Sequence, residues 1–147
     1  MRISDILDLK GHRVETVWPS RPIGEIPRLF MNRNIASVVV VEGGDKPIGI
    51  VTDRLLIRAL AEHGTEIAHL TAKDIMQSPP PSCAPSDSVA HVLDVMTEKR
   101  VRHMVVMADA KMLGVVSIGD LVKHRLRDAE METSVLRDAV MTWRRLS

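Results

Sequence analysis

The sequence predicts a mixed α/β chain made of two copies of one β-α-β-β-α unit, packed sheet to sheet and followed by a C-terminal helix. Three observations predict it. The apolar pattern repeats at an offset of 66 residues, which sets Ser37 on His103. A Gly-apolar-apolar-hydroxyl run closes each copy's strands, at Gly49-Ile50-Val51-Thr52 and at Gly114-Val115-Val116-Ser117. Between the copies stands Pro79-Pro80-Pro81, which cannot be helix interior and marks a junction.

The elements follow in order. Thr16-Val17-Trp18-Pro19-Ser20 matches Ser82-Cys83-Ala84-Pro85-Ser86, so each copy opens with a short extended piece ending at proline. Ser20 and Ser86 are candidate caps for the next helix. Its stripe, Ile23, Ile26, Leu29 and Phe30, returns as Val89, Val92, Val95 and Met96 at helical spacing. Strands are expected near 37–42 and 47–52, and near 103–108 and 112–117. The first turn, Gly43-Gly44-Asp45-Lys46-Pro47, is one residue longer than Asp109-Ala110-Lys111-Met112, so the offset falls to 65 after it. Both turns suit hairpins. A second helix carries Leu55, Leu56, Ala59 and Leu60 in the first copy and Leu121, Val122 and Leu126 in the second. A unit of about sixty residues buries too little on its own, which is why the copies are expected to pack together. The expected limits are 1–70 and 71–140, with a tail at 141–147. Val135, Leu136, Ala139, Val140 and Trp143 have helical spacing, which fits a helix docked on a partner, on a second subunit, or simply packed at the end of the chain.

Composition narrows the function. The 147 residues are 45% hydrophobic, enough for a core. Lys and Arg number 20 against 19 Asp and Glu, so no bulk field draws in nucleic acid or membrane. A single cysteine, Cys83, suits a reducing cytoplasm and reads as a small buried hydrophobe. Met1 to Arg13 has charges within its apolar stretch, unlike a signal peptide, and the run Val38 to Val41 is too short to span a bilayer. The 6 histidines (12, 63, 69, 91, 103 and 124) form no metal-ligand spacing, so no metal is expected to be required. No paired cysteines, nucleophile elbow or phosphate loop occurs, and no base-activated nucleophile is visible. The chain is therefore not expected to be an enzyme.

The two signature strands, extended to Gly49-Ile50-Val51-Thr52-Asp53-Arg54-Leu55 and Gly114-Val115-Val116-Ser117-Ile118-Gly119-Asp120, together with Asp5-Ile6-Leu7 and Asp74-Ile75-Met76 before the units, resemble a tandem pair of CBS (cystathionine-β-synthase) domains, or Bateman module. The resemblance covers about residues 3 to 140, and the tail through Glu130, Glu132 and Leu136 resembles small stand-alone members. It implies pseudo-twofold symmetry, a homodimer, and regulation of a partner protein that the sequence does not identify. It also implies an adenosine-containing ligand (AMP, ADP, ATP, NAD(H) or S-adenosylmethionine) held between the repeats.

The second copy carries the whole pattern. Gly114 removes bulk where a ligand would approach the strand. Ser117 can donate its hydroxyl to a phosphate. The resemblance assigns Asp120 to a ribose, whose two hydroxyls an ionised carboxylate can accept. Asp120 also reads as an ordinary first-turn acid of a helix. Arg102 and His103, before the strand, are candidates for phosphate contacts or for a solvated basic run. Across the cleft, Ala36 and Ser37 offer a small-residue wall. Val14 and Met104 are weaker wall candidates, with core packing the plainer role for Met104. In the first copy Thr52 is kept, but Leu55 replaces the family's aspartate and cannot accept a bond from a ribose. One principal cleft is therefore expected. The alternatives are a protein-interaction scaffold with a vestigial site, favoured by Leu55, and nucleic-acid binding, which near-neutral charge and scarce aromatics argue against.

Overall fold

A computed structural model describes residues 1–146, apart from the side chains of Asp128 and Leu146; Ser147, the end of the expected tail, lies outside the described residues. Helix α1 (Ile3–Lys10) leads into strand β1 (Thr16–Val17). After a 3-10 turn come α2 (Ile26–Arg33), β2 (Ser37–Glu42), β3 (Lys46–Thr52) and α3 (Asp53–His63). Short helix α4 (Ala72–Ile75) precedes β4 (Ser82–Cys83), α5 (Val89–Lys99), β5 (His103–Ala108), β6 (Lys111–Ser117) and α6 (Ile118–Leu146).

Two three-stranded sheets have one topology. In each, the short strand runs parallel to the middle strand, which pairs antiparallel with the third. The registers correspond: Ser37 faces Thr52 and His103 faces Ser117. Even the irregularity recurs, between Val40 and Val41 in one sheet and between Val106 and Met107 in the other. Continuous valine runs are what a strand buried on both faces requires. One face covers its own helices, and the other carries Val39, Val41 and Val105, which close on each other with Val14, Val115, Met107 and Met112 between the sheets.

The hairpins show why the offset shifts. The first turn places Gly43, Gly44 and Asp45 at positive φ, and the second places only Asp109 and Ala110 there. Two consecutive residues at positive φ make the tight primed turn that matches strand twist. Alanine fits this badly, since its Cβ meets the following carbonyl. Ala110→Gly is therefore expected to stabilise the protein by about 0.5–1 kcal/mol, seen as a melting temperature raised by about 1–3 °C.

Two expectations about helix starts are corrected. Ser20 and Ser86 cap nothing, because the chain turns there: Arg21 N bonds Trp18 O and Asp87 N bonds Ala84 O. The cap of α5 is Ser88, whose Oγ accepts from His91 N at 3.1 Å. The matching helix of the first copy, α2, has no side-chain cap and is entered through Pro22 and the 3-10 turn Ile23–Glu25.

The short leading helices cross over. Ile3, Ile6 and Leu7 of α1 are buried in the second repeat's core, with Val92, Met96, Met104 and Val116. Ala72 of α4, with Ile75 and Met76, fills the first repeat's core beside Ile26, Phe30 and Val51. Backbone bonds fix both in equivalent ways: Ile3 N to Asp87 O and Ser4 N to Pro85 O, against Ala72 N to Arg21 O and Lys73 N to Pro19 O. Each helix opens with the same one-way bond back to its first residue, Asp5 accepting from Arg2 N and Asp74 from Thr71 N. The expected limits at 70 and 71 thus part each short helix from the core it fills.

Candidate functional site

The crossover decides what lines the cleft. Strand β6 ends at Ser117 and α6 starts at once, so Asp120 sits one turn in. Ser117 N donates to Asp120 Oδ2 at 2.9 Å, and Asp120 N donates to Ser117 Oγ at 3.1 Å. This reciprocal cap stops the carboxylate from rotating. The end of α1 supplies Lys10, whose Nζ donates to Asp120 Oδ2 at 2.6 Å and to Val115 O at 2.7 Å. All bonds to the carboxylate from the described residues fall on Oδ2. Burial alone would raise the Asp120 pKa, but the bonds from Lys10 and Ser117 outweigh it and hold the carboxyl below its ordinary value.

Asp120 and Ser117 open onto a cavity of about 540 Å³ between the repeats. His103 lines it from the second repeat, and Ala36, Ser37 and Val14 line it from the first. Six of the ten expected residues therefore meet in one place. Three cations and an acid that sequence reasoning missed also border it: Lys10, Arg13, Arg33 and Glu15. Glu15 accepts from Arg13 at 3.2 Å and forms an ion pair with Arg33 at 3.5 Å.

The other four expected residues lie elsewhere. Gly114 lines neither cleft: a Cβ there would come 2.8 Å from Leu7 Cδ2, so its missing side chain admits α1. Gly49 plays the same part under Met76. Met104 is fully buried in the second core. Arg102, which precedes β5, lines a different cleft. That cleft, about 810 Å³, is the first copy's counterpart and holds Thr52, Leu55, Arg58, Lys99, Arg100 and Arg102. Thr52 Oγ1 accepts from Leu55 N at 3.3 Å, repeating the Ser117 cap without a carboxylate.

His103 borders both cavities. Its Nδ1 is buried without a partner. Burial lowers its pKa, and Lys10 and Arg102 lower it further against Asp53 and Asp120, which leaves the ring neutral at pH 7. Cys83 is half-buried, and burial with Asp87 beside it pushes its thiol up to about 12, far from a reactive thiolate. Among the described residues no group of His, Cys, Asp and Glu could hold a metal ion, and no helix is long and apolar enough to cross a membrane.

Two sheets of one topology, with exchanged leading helices and a polar cleft between them, define a tandem α/β repeat module. Residues 3–62 and 72–127 each match the family model of the CBS domain, and the chain belongs to that family as a tandem pair. It superposes on the CBS-domain protein ATU1752 of Agrobacterium tumefaciens with a TM-score of 0.82 at 32% identity, covering 85% of this chain and 99% of that one. It is 29% identical over 129 residues to the mitochondrial CBS domain-containing protein CBSX3 of Arabidopsis thaliana, covering 82% of this chain and 63% of that relative's length. The CBS pair of protein MJ0100, solved with 5′-methylthioadenosine and S-adenosyl-L-methionine, shares the fold at 23% identity with a TM-score of 0.74, covering 88% of this chain and 98% of that one.

Proposed function

We propose that this CBS pair is a non-catalytic regulatory module of the cytoplasm, acting as a homodimer on a partner protein. It binds an adenosine-containing ligand (AMP, ADP, ATP, NAD(H) or S-adenosylmethionine) in the cleft at Asp120. The observation that carries the reading is the 540 Å³ cavity in which Asp120 and Ser117 face the small wall of Ala36 and Ser37. Its volume lies within the range of small-molecule sites. Lys10, Arg13 and Arg33 supply positive charge at the rim for phosphate or carboxylate groups. The adenosyl compounds held by the MJ0100 pair are of the same ligand class. To regulate, the ligand must favour one of two conformations of the module.

A scaffold with a vestigial site is the second reading. Leu55 in the first cleft and the Lys10–Asp120 pair in the second favour it. A melting-temperature panel separates the two, using AMP, ADP, ATP, NADH, S-adenosylmethionine and a short RNA. A ligand at a hundredfold excess over its dissociation constant stabilises by about 2.7 kcal/mol. One adenosyl compound is expected to raise the melting temperature, with one principal site by calorimetry. If no nucleotide moves it, the sensor reading fails; two equal tight sites would remove the asymmetry assigned to Leu55.

A further inference from the structure

Helix α6 spans 29 residues, yet from Arg125 onward every side chain described is exposed. An arm about 30 Å long thus leaves the body without packing on it. Six of its side chains form one regular stripe, while exposed Met131, Val135 and Met141 lie off it. Leu126, Ala129, Thr133, Leu136, Val140 and Trp143 alternate at spacings of three and four, and the four largest are each at least half exposed. Thr133 enters this stripe without an unmet hydroxyl, because its Oγ donates to Ala129 O at 2.9 Å. A repeat of about 3.5 residues is the period of a left-handed two-stranded coiled coil.

The flanking charges choose the occupant and its direction. Arg125 and Glu132 stand on one side of the stripe, Glu130 and Arg137 on the other. In a parallel pair of identical helices, a flanking residue meets the residue five positions later on its partner. Arg125 then meets Glu130 of the second copy, and Glu132 meets Arg137. Symmetry repeats both attractions. Antiparallel, with Leu136 opposite Thr133, only Glu130 finds Arg137, and Glu132 faces Ala139.

We propose that residues 122–143 of two copies form a parallel two-stranded coiled coil. This does not rest on the ligand reading, and its tests involve no ligand. Since Asp120 lies in the first turn of α6, one continuous helix joins the cleft to this seam.

The full chain should sediment as a dimer. Leu136→Glu combined with Val140→Glu should weaken self-association by at least about tenfold. Their side chains are exposed within one chain, so melting of the repeats should stay unchanged, as a circular-dichroism control. Glu132→Arg alone and Arg137→Glu alone should each weaken the dimer, and mixing the two should give heterodimers, because the mixed pair regains both attractions. In a Cys83→Ser background, Leu136→Cys should cross-link to itself on oxidation, while Met131→Cys on the outer face should not. A dimer indifferent to the Leu136 and Val140 substitutions, a mixture with no heterodimer preference, or no cross-link at Leu136→Cys would each overturn the proposal.

Discussion

Gly114→Ala will destabilise the protein by about 1–3 kcal/mol, although it adds a single methyl group. The new Cβ would stand 2.8 Å from Leu7 Cδ2. Leu7 is only 1% exposed and is held by Ile3, Ile6 and Val116, so it has nowhere to swing. Leu7→Ala will cost about 2–5 kcal/mol by leaving a cavity in the same place. Because one substitution fills space that the other empties, the double variant should cost less than the two singles together, by about 0.5–3 kcal/mol. Urea unfolding of the four proteins measures this. Strictly additive costs would show that the glycine and α1 do not depend on each other. Gly49→Ala provides the internal comparison. Its Cβ would press on Met76 Sδ, on Cγ at 2.8 Å and on Cβ at 3.0 Å, and the last is fixed to the backbone, so the cost should be no smaller. The same α1 carries Lys10, so anything that loosens Leu7 also loosens the cleft.

The strands were legible because runs such as Val38 to Val41 and Met104 to Met107 repeat in register, and β2 and β5 start where expected. The two hairpins shift the offset from 66 to 65, as the turn lengths imply. The crossover was not legible. Asp5-Ile6-Leu7 and Asp74-Ile75-Met76 match each other, but chain order does not show which core each fills; long-range packing decides it. That one unknown misassigned Gly114, since a glycine making room for α1 and a glycine making room for a ligand read alike. It also hid Lys10, whose counterpart in the second leading segment is Pro79, so the repeat carries no signal for it. Arg102 and His103 form one basic run in the sequence, but Arg102 lines only the first copy's cleft, while His103, at the start of β5, borders both.

Asp120→Asn is expected to cut adenosyl-ligand affinity by about 10- to 100-fold. A bond to a charged group is worth about 1.5–3 kcal/mol, and each 1.4 kcal/mol is a factor of ten. The amide keeps an oxygen for Ser117 N, so the cap survives and ligand-free melting should change little. A large fall in melting temperature without any fall in affinity would make Asp120 a cap only. Lys10→Met should weaken binding less, since Lys10 bonds Oδ2 and the proposed ribose contact falls to Oδ1. The pH dependence separates the two titrating groups of the cleft. Asp120 is lowered from 3.8 in the folded protein, so its contribution is present above that value and is lost as pH falls through the lower folded one. His103 is lowered from 6.5, so the unfolded chain takes up its proton first and stability falls as pH drops through 6.5. Asp120→Asn should therefore flatten the stability curve below about pH 4 and, because its carboxylate opposes the lowering of His103, extend the fall in stability below pH 6.5, whereas His103→Gln should flatten that upper slope. An Asn variant whose upper slope matches the parent's would show that the carboxylate does not act on the ring.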